Sequence, residues 1–173
     1  MANWTVITDE NDGRRGRLVG PDFDVPCALG RSGTIEANQK SEGDGCTPLG
    51  TYPFRQVFYR ADKLDKPDTM LPCRATTKTD GWCDAADHVA YNKLVELHFD
   101  ASHEALWRDD DIYDIILVIG HNDDPVEASK GSAIFVHVAR EGYTPTEGCV
   151  AFDKVDLLKV LSLIQSGDLL EIE

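Results

Sequence analysis

The chain has 173 residues, of which 42% are hydrophobic and 28% charged, a composition typical of one globular domain with its own core. Its 31 acidic residues outnumber the 17 basic ones, so the formal net charge is −14 at pH 7. Such a charge repels phosphate backbones and anionic lipid surfaces, and it argues against nucleic acid or a membrane surface as a partner.

The chain also lacks the usual marks of membrane insertion or export. No apolar run approaches the roughly 20 residues that a membrane-spanning helix needs, so we expect no transmembrane segment. The stretch from Met1 to Val6 has neither the basic region nor the apolar core of a signal peptide. The protein is therefore either cytoplasmic or has lost a leader.

Short strand patterns separated by turns make up the N-terminal third. Strands are predicted at 4–8, 17–19, 25–29 and 51–59, with turn residues between them. Gly30 to Gly50 is rich in glycine and nearly free of apolar residues. It is either a solvated linker or, because loops of about 20 residues inside a compact domain are usually functional, a loop bordering the site, which we favour.

The middle of the chain contains the strongest strand signal. Residues 64–82 have the composition of a loop, 94–98 predict a strand, and 101–107 predict one or two helical turns. The β-branched run 112–120 predicts a buried central strand. It ends at Gly120-His121-Asn122, which indicates a turn.

One helix is predicted near the C-terminus. Asp153 has the character of an N-cap, and Phe152 and Leu157 are spaced as a hydrophobic staple. Gly167 is the expected end of this helix, and residues 168–172 predict a closing strand. The expected apolar stripe of the helix consists of Val155, Leu158, Leu161 and Ile164.

These patterns together predict the fold class. About eight or nine short strands accompany a single helix, so we expect a mainly β protein, a sandwich or barrel with one C-terminal helix packed on it. The whole chain, residues 1–173, is expected to be one domain.

A histidine strand and a cysteine lie close together between Gly131 and Phe152. Strand alternation places Phe135 and His137 on one face, and Cys149 follows Gly148 after a short turn-rich loop. A histidine that accepts a thiol proton creates a reactive thiolate, and the N–H groups of Gly148 and Cys149 can hold an oxyanion. The alternative is a small buried thiol and a structural histidine.

The cysteine count allows two redox states. The five cysteines are Cys27, Cys46, Cys73, Cys83 and Cys149. Two disulfides among the first four would leave Cys149 free, and five reduced thiols are the alternative. Neither CxxC nor HExxH spacing is present, and Asp109-Asp110-Asp111 lacks the ligand spacing of a calcium loop, so we expect no metal site.

Several short motifs follow one another along the chain: GR-G (30–33), K-EGDG-TP-G (40–50), YN (91–92), LWR-D-YD (106–114), and GSAIF-H with T-GC (131–149). In this order they resemble the YkuD-type L,D-transpeptidase family, over about Gly30 to Leu163.

This resemblance implies a β-sandwich catalytic domain with Cys149 as nucleophile and His137 as general base, without metal or organic cofactor. It implies that the partners are peptidoglycan stem peptides. Such enzymes cut between the L-centre of the third residue and D-Ala at the fourth, and pass the acyl group to an amine of another stem. Water as acceptor would give an L,D-carboxypeptidase.

The chain departs from the usual family pattern beside the cysteine. Glu147 and Ala151 stand where the family commonly has a histidine and an arginine. The missing arginine removes a carboxylate partner, for which Arg140 and Arg31 are candidates. Glu147 is a candidate to hold an amine, and these changes leave the crosslink as 3,3 or a different linkage.

Other substrate contacts are expected more broadly around the cleft. His121 and Asn122 follow the buried strand and are candidates to line the cleft or, alternatively, a polar strand-end turn. Tyr143 and Thr146, in the loop before Cys149, are further candidates for substrate contact.

Two rival functions and two locations accompany this prediction. The rivals are a noncatalytic β-sandwich binding module with an inert thiol, and a cysteine amidase or protease of other specificity. A cell-wall substrate implies the periplasm or cell envelope. In the cytoplasm, recycling of muropeptides is the better-fitting role.

Overall fold

Thirteen β-strands and one α-helix form the part of the chain that this computed structural model describes, residues 3–20 and 22–173. The prediction of a mainly β protein with one C-terminal helix is confirmed. The strands are β1 (Asn3–Thr8), β2 (Arg15–Gly20), β3 (Phe23–Ala28), β4 (Thr34–Glu36), β5 (Thr47–Tyr59), β6 (Cys73–Ala75), β7 (Asp80–Cys83), β8 (Leu94–Glu96), β9 (His103–Ala105), β10 (Ile115–Ile119), β11 (Phe135–Val138), β12 (Val150–Phe152) and β13 (Leu169–Ile172). The helix is α1 (Lys154–Leu163), and short 3-10 helices cover Ala37–Gln39 and Glu141–Tyr143.

The larger sheet closes on itself through its longest strand. Hydrogen-bonded neighbours run in the order β10-β11-β12-β3-β2-β1-β13-β5, and β5 also pairs with β10. The 13 residues of β5 allow this, because residues 50–53 pair with β13 and residues 54–59 pair with β10. The path of pairings therefore returns to its start, as in a barrel, while β4 and β6 also pair with β5.

A separate three-stranded sheet corrects two of our predictions. Its order is β8-β7-β9, and β9 occupies the stretch 101–107 that we predicted as helical. Likewise, β6 and the first three residues of β7 lie in residues 64–82, which we predicted as loop. Both errors have one cause: strands of three or four residues carry little periodic signal, and pairing with distant partners such as Cys83↔His103 decides their conformation.

Strand β11 separates two hydrophobic clusters, as its alternation predicts. Val136 and Val138 pack into the main core, together with Ile134 just before the strand. Phe135, on the opposite face, belongs to a second cluster that also contains Cys149. The cysteine therefore lies in an apolar environment outside the main core.

Helix α1 covers the main core, but its buried face differs from the predicted stripe. The Asp153 side chain accepts a hydrogen bond from the Val155 N–H at 2.9 Å, which confirms the N-cap. The helix ends at Leu163 rather than at Gly167, because Ile164 already has extended backbone angles. Val155 of the predicted stripe is 73% exposed. The buried positions of this segment are Leu157, Val160, Leu161 and Ile164.

All five cysteines are free thiols, so the pairing of Cys27, Cys46, Cys73 and Cys83 does not occur in this structure. Within the described ranges, no helix is long and apolar enough to cross a membrane.

Candidate active site

Parallel pairing of β11 with β12 brings the predicted histidine and cysteine to one cavity. His137 pairs with Ala151, and Cys149, two residues before Ala151, lies on the same face of that segment. The cavity has a volume of about 270 Å³. It is lined by Glu104, Arg108, Ile112, Tyr113, His137, Arg140, Thr144, Pro145, Thr146, Glu147, Cys149 and Ala151.

The Cys149 thiol is held between two backbone groups. Its Sγ donates to the Ala133 carbonyl oxygen at 3.2 Å and accepts from the Phe135 N–H at 3.3 Å. Burial raises the pKa of this thiol to about 12, although the Phe135 N–H favours the thiolate. The Cys149 thiol is therefore neutral, and its proton faces the Ala133 carbonyl.

His137 is oriented by a backbone carbonyl. Its Nδ1 lies 2.9 Å from the Val138 oxygen, and because a carbonyl only accepts, Nδ1 carries the hydrogen. The lone pair is then on Nε2. Burial lowers the pKa of His137 to about 4, and the Tyr113 ring contacts its ring edge to face at 5.4 Å. His137 is thus a neutral imidazole in a fixed tautomer, able to accept a proton.

Hydrogen bonds of Thr146 hold the loop before Cys149 in place. The Thr146 hydroxyl donates to the Cys149 carbonyl oxygen at 2.7 Å and accepts from the Gly148 N–H at 3.1 Å. Its backbone bonds to Leu29 and Arg31, which places the start of the glycine-rich stretch beside the site. The Gly148 N–H, expected to be free for an oxyanion, must leave Thr146 before it can serve that purpose.

Opposite charges meet in and around the cavity. Arg31 binds Glu147 at 2.8 Å, although both side chains are largely exposed. Asp110 accepts two hydrogen bonds from Arg108 at 2.7 Å and lies 3.3 Å from Arg140. The lining thus offers guanidinium groups for a carboxylate and carboxylates for an amine.

Sequence reasoning missed several of the lining residues, among them Glu104, Arg108 and Tyr113. Tyr113 Oη donates to Glu104 Oε1 at 2.5 Å, and burial raises the pKa of both groups. Arg108 and Tyr113 belong to the LWR-D-YD motif, which could have identified them. Glu104 is on β9, the strand predicted as helical, and carried no such signal.

Three predicted contacts lie outside this cavity. His121 and Asn122 line a different cavity, and both side chains bond to backbone: His121 to Lys130, and Asn122 to Glu127 and Gly131. Tyr143 is on the short 3-10 helix Glu141–Tyr143 and is not among the lining residues. Within the cavity, the structure brings together Cys149, His137, Arg140, Thr146 and Glu147.

The comparison with protein-family models agrees with the sequence motifs. A family model described as the L,D-transpeptidase catalytic domain, YkuD, matches residues 6–172. A solved structure titled L,D-transpeptidase from Mycobacterium smegmatis matches with 13% identity and a TM-score of 0.41. That match covers 99% of this chain and 59% of the mycobacterial chain. No curated protein matches.

Proposed function

This protein belongs to the YkuD L,D-transpeptidase catalytic domain family, and we propose that it is a cysteine acyltransferase acting on peptidoglycan stem peptides. One observation carries this proposal: Cys149 and a neutral, oriented His137 line the same cavity. A thiol and an imidazole with a free lone pair are the two groups that nucleophilic acyl transfer requires in one cavity.

The first half-reaction forms a thioester. The thiol turns from Ala133 towards His137, and Nε2 takes its proton as Sγ attacks the carbonyl between the L-centre and D-Ala. Because burial favours both neutral forms, this proton moves as the S–C bond forms rather than beforehand. The oxyanion takes backbone N–H donors near Cys149, and D-Ala leaves with the proton from His137.

The second half-reaction transfers the acyl group. An acceptor amine loses a proton to His137 as it attacks the thioester carbonyl, which gives a tetrahedral intermediate. The C–S bond then breaks and leaves the new amide, and the thiolate takes the proton back from His137, which restores both neutral groups. Either a 3,3 crosslink or another linkage results, depending on which stem amine enters. Water in place of the amine would give a free tripeptide.

The charged lining groups suit both substrates. We assign Arg140, which lines the cavity, to a carboxylate of the donor stem, since guanidinium groups bind carboxylates in two-point geometry. We assign Glu147 to an acceptor amine, because it lines the cavity and is 79% exposed. The proposed substrate implies a site of action in the cell envelope, and in the cytoplasm the same chemistry would serve muropeptide recycling.

Product analysis tests this function. The protein and Cys149→Ala are incubated with purified disaccharide tetrapeptides, and the products are read by mass spectrometry. Loss of D-Ala with a new dimer, absent from the variant, is the expected result, and fragmentation of the dimer identifies the linkage. Tripeptide alone would indicate hydrolysis. No change in either sample would overturn the proposal in favour of a binding module.

A further inference from the structure

Asn92 is a buried asparagine whose amide is fully bonded. Its Oδ1 accepts from the Trp82 Nε1–H at 2.9 Å and from the Ala133 N–H at 3.0 Å. Its Nδ2 donates to the carbonyl oxygens of His121 and Asn122 at 3.0 and 2.8 Å. With 6% exposure and four partners, this side chain has little freedom to move.

The first partner of Asn92 that reaches the thiol is Ala133, whose carbonyl oxygen accepts the thiol proton of Cys149. Ala133 has φ of +51°, a left-handed conformation that alanine rarely adopts. The Asn92 hydrogen bond to its N–H favours this conformation, and the Ala133 carbonyl then accepts from Cys149 Sγ.

A second set of contacts links Asn92 to Phe135, whose backbone N–H favours the thiolate form of Cys149. Trp82, the other donor to Asn92, contacts the Phe135 ring at 5.0 Å with perpendicular planes. The Phe135 N–H donates to Cys149 Sγ. Asn92 is thus bonded directly to Ala133 and is linked to Phe135 through Trp82. Ala133 and Phe135 are the two residues whose backbone groups contact the thiol.

We propose that Asn92 is a positioning residue for the nucleophile: it holds Ala133 in the left-handed conformation and thereby sets the direction and the proton of the Cys149 thiol. This inference rests on the proposed function only in taking Cys149 as the nucleophile. Asn92 does not line the cavity with Cys149, so it acts through Ala133 and not on substrate.

The two backbone partners of the thiol have opposite effects on its proton. The Ala133 carbonyl stabilises the protonated thiol, whereas the Phe135 N–H stabilises the thiolate. If Ala133 leaves its left-handed conformation, the protonated thiol loses its acceptor. Cys149 should then react with a thiol reagent at lower pH, while the misdirected sulfur reacts more slowly with a bound donor.

A rescue design separates this role from general structural support. Asn92→Gly removes the side chain without backbone strain of its own, since Asn92 has φ of +54°. Ala133→Gly makes a positive φ accessible without the help of Asn92. The double variant therefore restores the Ala133 conformation but none of the Asn92 contacts to Trp82, His121 or Asn122.

The readouts are the pH profile of Cys149 alkylation by iodoacetamide, followed by peptide mass spectrometry, and kcat and KM for D-Ala release. Asn92→Gly is expected to lower kcat at least about tenfold with little change in KM, because small misplacements of reacting groups cost this much or more. Its alkylation midpoint should move to lower pH. The double variant should recover most of the lost kcat and most of the change in the alkylation midpoint.

A matched control is Ser129→Gly, an exposed polar residue that also has a positive φ, of +64°. Its alkylation profile should match the wild type. An Asn92→Gly profile like the wild type, or a loss of kcat that Ala133→Gly fails to restore, would overturn the proposal.

The inference can still be tested if Asn92→Gly does not fold or if the wild-type protein releases no D-Ala. If circular dichroism shows that Asn92→Gly is unfolded, Ala133→Val replaces it, because a β-branched residue disfavours positive φ while Asn92 stays in place. A wild-type alkylation profile and kcat in that variant would overturn the inference. If the wild-type protein releases no D-Ala, the proposed function fails, and the alkylation profiles alone still decide the role of Asn92.

Discussion

At the scale of single residues, the acid–base state of the cavity follows from burial. His137 is a neutral base and Cys149 a neutral acid because the surroundings disfavour charge on either group. The Val138 carbonyl selects the histidine tautomer. His137 and Cys149 could be predicted from their motif, but the protonation of each depends on neighbours that are distant in sequence.

The depressed pKa of His137 predicts an unusual acid limb of the rate profile. The imidazole must be unprotonated to accept the thiol proton, and with a pKa of about 4 it remains so well below pH 6. We expect kcat/KM for D-Ala release to stay within about threefold between pH 7 and pH 5, where a histidine of ordinary pKa would lose about thirtyfold. A loss centred near pH 6.5 would show that His137 is solvated in the working enzyme.

Glu147→Gln tests the assignment of the acceptor amine. We expect the KM for the acceptor stem to rise by about threefold to tenfold, since the amine loses a charged partner, while D-Ala release into water is unchanged. Arg31→Gln is the matched control, because it removes the ion-pair partner of Glu147 but leaves the carboxylate. Equal effects of both variants on the acceptor KM would indicate that the pair, rather than Glu147, is needed. Stability should change by less than about 1 kcal/mol in each.

At the scale of elements, the site depends on how one loop meets another. The loop carrying Thr146 and Gly148 is bonded to Leu29 and Arg31 through Thr146 backbone groups. Gly148, with φ of +131°, approaches the Cys46 carbonyl so closely that a Cβ would lie 2.7 Å from its oxygen. The sequence indicated a loop bordering the site, but not these contacts.

Gly148→Ala should therefore displace the nucleophile. We expect a loss of about 2 kcal/mol or more in the free energy of unfolding, from a strained φ and a backbone clash, and a fall in kcat of at least about tenfold. Gly142→Ala is the matched control: its φ is +70°, but no atom lies within 4 Å of the added Cβ. It should lose only about 1 kcal/mol and keep its activity. Urea unfolding and D-Ala release measure both, and equal losses would contradict the clash.

Asp153→Ala tests the helix cap apart from the site. Removing the acceptor for the Val155 N–H should lower the free energy of unfolding by about 1 kcal/mol, with D-Ala release within about twofold of the wild type. Asp156→Ala, in the first turn but not at the cap, should cost less, because only its interaction with the helix dipole is lost. A larger effect at Asp156 in urea unfolding would contradict the assignment of the cap.

At the scale of the whole molecule, the cavity is assembled from segments far apart in the chain. Glu104 comes from the small sheet, Tyr113 from the residues before β10, and Cys149 from the residue before β12. Burial of the thiol and the imidazole between these segments keeps both groups neutral. Because burial changes their pKa values on folding, the free energy of unfolding depends on pH.

Burial of His137 predicts a loss of stability in mild acid. Its pKa is depressed from 6.5 to about 4 on folding, so between these values the unfolded chain binds a proton that the folded chain does not. The free energy of unfolding is therefore highest, as far as His137 is concerned, above about pH 6.5, and it falls as the pH drops from 6.5 towards 4. Between pH 7 and pH 5 the free energy of unfolding should fall by about 2 kcal/mol more in the wild type than in His137→Gln.

Urea unfolding of both proteins at the two pH values measures this difference, and other titrating groups contribute equally to each. An equal fall in the two proteins would show that His137 titrates normally when folded.

Features that depend on local pattern could be predicted from the amino-acid sequence alone. Alternation identified the faces of β11, the cap signal located the start of α1, and the ordered motifs identified Cys149 and His137. Predicting such features requires only residues within a few positions of each other, or the order in which a family's motifs follow one another.

Contacts between residues that are far apart in the sequence could be identified in the folded chain but not in the sequence. The strand β9, the bond from Gly148 to Thr146, the positions of His121 and Asn122 outside the cavity, and the network around Asn92 all arise from contacts across the fold. Their physical reason is shared: a backbone donor, a short strand or a buried amide takes the partner that packing brings to it, and the sequence carries no periodic trace of that partner.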